Sequence, residues 1–405
     1  MLKKVASNTF AQLVAKFFGA GLTLLTTYYT IRVAGLELYG DLTRILVMVA
    51  VGFTIIDFGL NAEGIRSSKS RSDMQNTAQR ILLTRLILSF VIILILNLIV
   101  YLLPGGYSQT IKSIFWLGSL AIVFQGLYTS ANAWFQYTLS YWKSTFSVII
   151  GSTTGTILTL YYLFNNPSLS NLVMANTFGY FIMAICSLIF MFPKLEKLAV
   201  LSLLLDVLPL LKRSLVLGLI LIASVLASKF DTVILGVFRQ SSEVGEYGFA
   251  YRIFDVILVV PVFVMNAVYP LFIKERINGI NSQIISKSAK YMGLLGVLAG
   301  IVLWFGAPLV SYVRPDLHTS IEVLKILAYA LPLFFLTAPL MWGLIGQNKD
   351  KIVLSMYLLA ALLNITLSLL FIPAYGALAA AINTGITELF ILLTLLYYTK
   401  KIPFT

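Results

Sequence analysis

Apolar runs of roughly 20 residues, separated by short polar stretches, recur along the whole of this 405-residue chain. A run of about 20 residues rising about 1.5 Å each spans the ~30 Å hydrocarbon core and satisfies its backbone hydrogen bonds internally. The pattern predicts helices over residues 7–31, 42–64, 80–103, 112–136, 144–164 and 171–192, then 214–237, 250–273, 289–312, 322–345, 352–372 and 377–398. The expected fold is an all-α polytopic membrane protein with twelve transmembrane helices. Residues 1–193 form an N-terminal six-helix lobe, 194–213 a cytoplasmic interfacial linker and 214–405 a C-terminal six-helix lobe.

The two lobes echo each other. Tyr39-Gly40 followed by Arg44-Ile45 recurs as Tyr247-Gly248 followed by Arg252-Ile253, an offset of 208 residues. The same offset lays Trp134 on Trp342, Lys143 on Lys351 and Ser147 on Ser355, and an offset of 207 lays Asn176-Thr177 on Asn383-Thr384. Six helices separate each position from its echo, so the repeats enter the membrane in the same orientation. Parallel repeats are a transporter architecture, with substrate handled around a central cavity between them.

Composition agrees with the pattern. Hydrophobic residues are 59% of the chain, charged residues 11%, and the mean hydropathy is +0.92, against about 25% charged in soluble domains. Little sequence remains for a soluble catalytic domain. The N-terminal run is too long for a signal-peptide core and has no small-residue cleavage site, so the first helix is expected to be retained. Cys186 is the only cysteine, which excludes an internal disulfide and a cysteine-based metal site.

A net charge of +13 is compatible with nucleic acid, but its distribution is that of a membrane protein. Twenty of the 29 Lys and Arg residues, among them Lys3, Lys4, Arg66, Arg71, Lys143, Lys212 and Lys400, fall on one side of a twelve-helix arrangement. By the positive-inside rule both termini are cytoplasmic, and no nucleic-acid partner is expected. The leucine-rich stretch from Leu198 to Leu211, edged by Lys194, Lys197, Lys212 and Arg213, fits either an interfacial helix on the inner leaflet or a hydrophobic strap against the bundle.

Charges at membrane depth are costly, about 2.5–3.5 kcal/mol each on the most lenient scale, and mark functional positions. Lys16 lies about nine residues into the first helix. Asn8, Gln12, Gly19, Thr23, Thr27 and Thr30 share its face at helical spacing and draw one polar stripe. Lys229 sits near the middle of the seventh helix, so each lobe carries one cation on its leading helix. A cavity receiving both implies an anionic ligand such as phosphate. The alternative for Lys229 is a packing ion pair with Asp231 or Asp57. Asp231, Asp255 and Glu388 are confined to the second half, which points to a cation site in one lobe alone. Asp57 and Asn61, one turn apart, read as support near the cytoplasmic mouth, and Arg252 with Asp255 as a gate. Tyr28, Tyr29, Trp134, Gln136, Tyr137, Trp142 and Trp342 offer stacking and hydrogen-bonding groups for sugar, or belong to the interfacial belt. No metal cluster, nucleophile constellation or phosphate-cradling glycine loop occurs, so no enzyme activity is expected.

Three stretches carry a resemblance: Arg32-Val-Ala-Gly-Leu-Glu-Leu-Tyr-Gly, Asp57-Phe-Gly-Leu-Asn-Ala-Glu-Gly-Ile-Arg66, and Phe230-Asp231-Thr-Val-Ile-Leu-Gly with the downstream Glu243-Val-Gly-Glu-Tyr-Gly. With Gly376-Ala-Leu-Ala-Ala-Ala-Ile-Asn-Thr-Gly they make the chain similar to the polysaccharide (O-antigen repeat unit, Wzx-type) flippases. These belong to the multidrug/oligosaccharidyl-lipid/polysaccharide (MOP) superfamily. The resemblance implies exchange between inward-open and outward-open states and an undecaprenyl-pyrophosphate-linked oligosaccharide as substrate. It also implies residence in the bacterial inner membrane among its lipids, a monomer, and a polysaccharide polymerase and chain-length regulator as partners.

Lipid II flippases of the superfamily bind sodium through Asp, Asn, a second Asp, a backbone carbonyl and Thr. The resemblance carries this onto Asp231, Asn364, Ser368, Ala380 and Thr384, with serine replacing the second carboxylate and Glu388 one turn beyond. Na+ at Asp231, Asn364 and Thr384, or H+ on Glu388, is then the coupling ion, and no other cofactor is expected. A multidrug organic-cation antiporter of the same fold is the alternative, opposed by the deep lysines. A membrane-embedded polysaccharide polymerase or ligase is the other, opposed by the short external connections.

Overall fold

The computed structural model describes residues 2–191, 200–277, 283–347 and 349–401. Within them the chain is a succession of long helices: α1 (Leu2–Tyr29), a π turn (Thr30–Ala34), α2 (Gly35–Asp57), α3 (Leu60–Ser67), α4 (Arg71–Leu102), α5 (Gln109–Tyr137), α6 (Trp142–Asn165) and α7 (Leu169–Met191). There follow α8 (Val200–Leu205), α9 (Val207–Phe238), α10 (Ser241–Ile277), α11 (Gln283–Gly306), a 3-10 segment (Ala307–Tyr312), α12 (His318–Gly346) and α13 (Asp350–Lys401).

Among the described residues ten helices are long and apolar enough to cross a membrane, and the protein is a multi-pass membrane protein. Two of the ten are double length: Ser7–Ser67 runs 61 residues and Asp350–Thr399 runs 50, against the ~20 that one crossing needs. Each is broken near its middle by a glycine outside helical geometry, Gly35 at φ 87 and Gly376 at φ 59. The set is therefore compatible with the twelve passes expected from hydropathy. The helices also begin earlier than the apolar runs. α4 starts at Arg71 rather than near residue 80, because the Ser70 hydroxyl accepts from the Asp73 amide and caps a polar first turn.

The chain divides into two compact units, residues 1–222 and 223–405, with the division inside α9. In the first unit α6 and α7 approach closely where Gly151 and Gly155 of one face Gly179 of the other. A Cβ on Gly151 would stand 2.7 Å from the Gly179 carbonyl, and one on Gly179 3.0 Å from Gly155 Cα. Small residues four apart let membrane helices approach in this way. In the second unit a Cβ on Gly300 of α11 would stand 2.7 Å from the Ala328 carbonyl of α12.

The part of the expected linker at residues 194–199 lies outside the described residues. Of the remainder, α8 is tethered by an ion pair between Arg80 of α4 and Asp206 at 2.9 Å. Leu210 is buried with Leu60, Met74, Trp134 and Met191 in one cluster. Leu204, Leu205 and Leu208 stay exposed, so the segment is strapped to the bundle on one side and apolar on the other.

Candidate functional site

In the first unit the polar face of α1 divides. Asn8 Oδ1 accepts from the Tyr141 amide at 2.7 Å, and the neighbouring Ala11 carbonyl accepts from Thr145 Oγ1 at 2.8 Å, so this end of the stripe packs α1 against α6. Thr27 and Thr30 are buried, and the Thr23 and Thr30 hydroxyls return to the carbonyls of Gly19 and Thr26 in their own helix. Gln12 is half-buried. Lys16 is exposed and makes no ion pair among the described residues. The expected continuous aqueous wall thus reduces to Lys16 and its immediate neighbours.

Asp57 and Asn61 meet on a residue that hydropathy assigns to the cytoplasmic charge belt, Arg85. Helix α2 stops at Asp57 because Phe58 and Gly59 both adopt left-handed backbone, at φ 46 and 67, freeing the last carbonyls of α2. Arg85, fully buried on α4, takes them. Its Nε donates to the Ile56 carbonyl at 3.0 Å and Nη2 to the Asp57 carbonyl at 3.2 Å. Nη2 also reaches Asp57 Oδ1 at 3.0 Å, and Nη1 reaches Asn61 Oδ1 at 3.1 Å and Ser130 Oγ at 3.0 Å. All five donors are spent, as a buried guanidinium requires. The amide of Asn61 donates to the Thr129 carbonyl at 2.8 Å. The Asp57 side chain remains 41% exposed.

Trp134, expected as a sugar-stacking residue, is 2% exposed. It fills the core between Leu60, Met74 and Met191, with the Arg71 guanidinium 5.7 Å over its ring, and presents no face to a ligand. Arg44 is also buried, paired with Asp41 at 2.7 Å. Tyr107, in the connection before α5, lies buried within reach of that charge. Burial raises its phenol well above the ordinary value, so it stays neutral beside the guanidinium.

In the second unit Asp231 of α9 is fully buried. Its Oδ2 accepts from Tyr247 of α10 and from Thr384 of α13, each at 2.9 Å. Its Oδ1 accepts from the Thr232 amide at 2.6 Å and the Thr232 hydroxyl at 3.1 Å. Thr384 Oγ1 also lies 3.1 Å from the Ala380 carbonyl. Three of the expected ion-site residues therefore come together, and Tyr247 joins them. Asn364 instead donates to Thr387 at 3.3 Å and accepts from Ser368 at 3.5 Å. Glu388 is buried and accepts from the Thr337 hydroxyl.

Four donor contacts occupy the ~four lone-pair positions of the Asp231 carboxylate, and Ser368 brings no second carboxylate. This arrangement does not fit a sodium cage, in which those lone pairs would face the ion. No group of three or more His, Cys, Asp or Glu able to hold a metal occurs among the described residues.

The expected Arg252–Asp255 gate is replaced by another pair. Asp255 of α10 binds Lys229 of α9, with Nζ 3.0 Å from Oδ2 and 3.2 Å from Oδ1. The ammonium also sits 4.1 Å from the centroid of the Tyr251 ring. The partner of Lys229 is thus neither Asp231 nor Asp57. On a helix, Asp255 and Lys229 come from α10 and α9, whereas Arg252 precedes Asp255 by three residues on the same helix; the inter-helix partner wins.

The stretch 243–247 was singled out by its resemblance and, at Tyr247, by the repeat register, with no role attached. Glu243 pairs with Arg239 at 2.7 Å and accepts from the Ala377 amide at 2.8 Å, holding the Gly376 break in α13. Glu246 accepts from the Ser320 amide at 3.0 Å in the first turn of α12, where free amides favour a carboxylate. Tyr247 holds Asp231. The signal was a short run of two glutamates and a tyrosine just inside a helix N-terminus.

The chain is 23% identical to the putative O-antigen transporter of Shigella dysenteriae over 390 residues, 92% of this chain and 94% of that one. Among solved structures it resembles the lipid II flippase MurJ in an inward closed conformation, with TM-score 0.74, 17% identity and coverage of 96% of this chain and 87% of that one. An inward-facing multidrug resistance MATE family transporter of the MOP superfamily gives TM-score 0.74 and 12% identity, over 94% of each chain. The chain thus shares the fold of these two structures. The profile of the polysaccharide biosynthesis protein family matches residues 5–276, more than half of the sequence, and the chain belongs to that family.

Proposed function

We propose that this protein is a flippase that moves an undecaprenyl-pyrophosphate-linked oligosaccharide repeat unit across the bacterial inner membrane by alternating access. The family and the O-antigen transporter relative supply the substrate class. The observation that carries the reading is Lys16, an exposed ammonium on an apolar membrane-crossing helix with no ion pair among the described residues. Such a charge is costly unless an anion or water meets it, and an ammonium is a strong point partner for phosphate. Neither pyrophosphate nor a hydroxyl-rich glycan crosses hydrocarbon unaided, while the polyprenyl tail stays in lipid. The same cation disfavours an organic-cation antiporter. The relatives named above are transporters and flippases, and no enzymatic step is assigned.

Both termini are placed in the cytoplasm by the positive-inside rule. For coupling we favour a proton on Glu388 over sodium at Asp231. Asp231 is fully engaged by donors, whereas Glu388 takes a hydrogen bond from Thr337 alone among the described residues. A polymerase and chain-length regulator would act downstream on the exported unit.

The test is surface polysaccharide in a deletion strain complemented at matched membrane abundance. Lys16→Ala is expected to abolish most export and Lys16→Arg to retain part of it. Full export from Lys16→Ala, or transport of fluorescent organic cations by the purified protein, would overturn the reading.

A further inference from the structure

The ion pairs of Arg85 and Lys229 are built differently. Arg85 is fully buried and spends all five donors on five acceptors, so it has nothing to exchange. Lys229 is 24% exposed and its partner Asp255 39% exposed. The ammonium has one anion, Asp255, and one aromatic face, Tyr251, and no other acceptor among the described residues.

The aromatic face is fixed independently of the anion. Tyr251 donates its hydroxyl to the Ser228 carbonyl at 3.1 Å, and its ring packs against Tyr247 and Phe254 at centroid distances of 5.5 and 5.6 Å. A cation over a held ring keeps its place when its counter-ion changes. The leaving carboxylate, already more than a third exposed, is rehydrated cheaply, because a part-exposed pair contributes little net free energy.

We infer that Asp255 is a resident anion that occupies Lys229 in the substrate-free protein and is displaced by a phosphate oxygen of the ligand. Lys229 is then a phosphate contact within the second unit and Asp255 a specificity-determining competitor, which only an anion of higher charge density than a carboxylate displaces. This rests on the reading of the ligand as a lipid pyrophosphate. It goes beyond that reading in assigning a partner exchange, with no covalent step, to one carboxylate.

The probe is farnesyl pyrophosphate, titrated calorimetrically into the purified full-length protein in nanodiscs, with farnesol as the uncharged control. Asp255→Asn is expected to bind about two- to fivefold more tightly than the unsubstituted protein, the scale of one partly exposed ion pair. Lys229→Gln should bind about tenfold more weakly, and the double variant no more tightly than Lys229→Gln. A second measurement needs no substitution at Asp255. The NMR resonance of dimethylated Lys229, identified by its loss in Lys229→Arg, should move on adding farnesyl pyrophosphate and not on adding farnesol. Binding of the unsubstituted protein that leaves this resonance unmoved, or a gain in Asp255→Asn that survives loss of the lysine, overturns the exchange and leaves the flippase reading standing. Failure of every variant to bind farnesyl pyrophosphate in preference to farnesol overturns both.

Discussion

The phenol of Tyr247 and the hydroxyl of Thr384 converge on one oxygen, Asp231 Oδ2, each at 2.9 Å. Three helices, α9, α10 and α13, are thereby joined through a single buried atom. Tyr247→Phe removes one donor while keeping the ring, and a buried acceptor left short costs about 1–3 kcal/mol. The detergent-solubilised variant should unfold at a lower temperature than the parent. An unchanged unfolding temperature would show that the bond does not hold the unit together.

Arg85 makes a different prediction from its partner. Arg85→Lys keeps the charge but replaces a five-donor fork with one point cation, leaving carbonyls at the α2 terminus without partners. A loss of about 3–5 kcal/mol is expected, as for breaking a buried pair, and should appear as low membrane abundance. Asp57→Asn is milder, because its side chain is 41% exposed and the two carbonyl contacts remain. The ordering is checked by quantifying both variants in the same membranes; equal abundance contradicts it.

Two glycines give opposite outcomes on replacement by alanine. A Cβ on Gly376 would lie 1.9 Å from Glu243 Oε1 and 2.7 Å from Arg239 Nε, at φ 59. Gly376→Ala should therefore lower stability sharply. At Gly21 of α1 a Cβ meets nothing within 4 Å, and Gly21→Ala should be neutral or stabilising by about 0.5–1 kcal/mol through backbone entropy. Thermal unfolding of the two variants side by side checks both signs.

Trp134 separates a core role from a sugar-binding one. Trp134→Ala should cost about 3–5 kcal/mol, the range for emptying a buried aromatic site, yet export normalised to folded protein should be unchanged. Loss of export by the folded fraction, with stability retained, would restore the ring to the substrate path.

The membrane crossings and the meeting of Asp231 with Thr384 were legible in the sequence. Length and apolarity fix the first, and the family resemblance the second. What spacing reveals is which residues share a depth and a face on one helix. It does not reveal which helix lies opposite. Arg85 was therefore counted only among the twenty positive charges of the cytoplasmic side, although its partners Asp57, Asn61 and Ser130 stand on three other elements. Asp255 was paired with its own-helix neighbour Arg252 instead of Lys229 for the same reason. Trp134 was misread because an aromatic near a helix end has the same hydropathy whether it faces lipid, ligand or core. Glu243 and Glu246 escaped notice as caps, since the amides they serve belong to helices far downstream.

That distance sets an order of events during synthesis. The Glu243 carboxylate precedes the Ala377 amide by 134 residues, and Asp231 precedes Thr384 by 153. Arg239 serves Glu243, and Thr232 and Tyr247 serve Asp231, as soon as α9 and α10 are translated, but the last donor of each acid comes only with α13. A chain truncated before α13 therefore leaves each acid one donor short and presents the quality-control machinery with a distinct, incompletely assembled half.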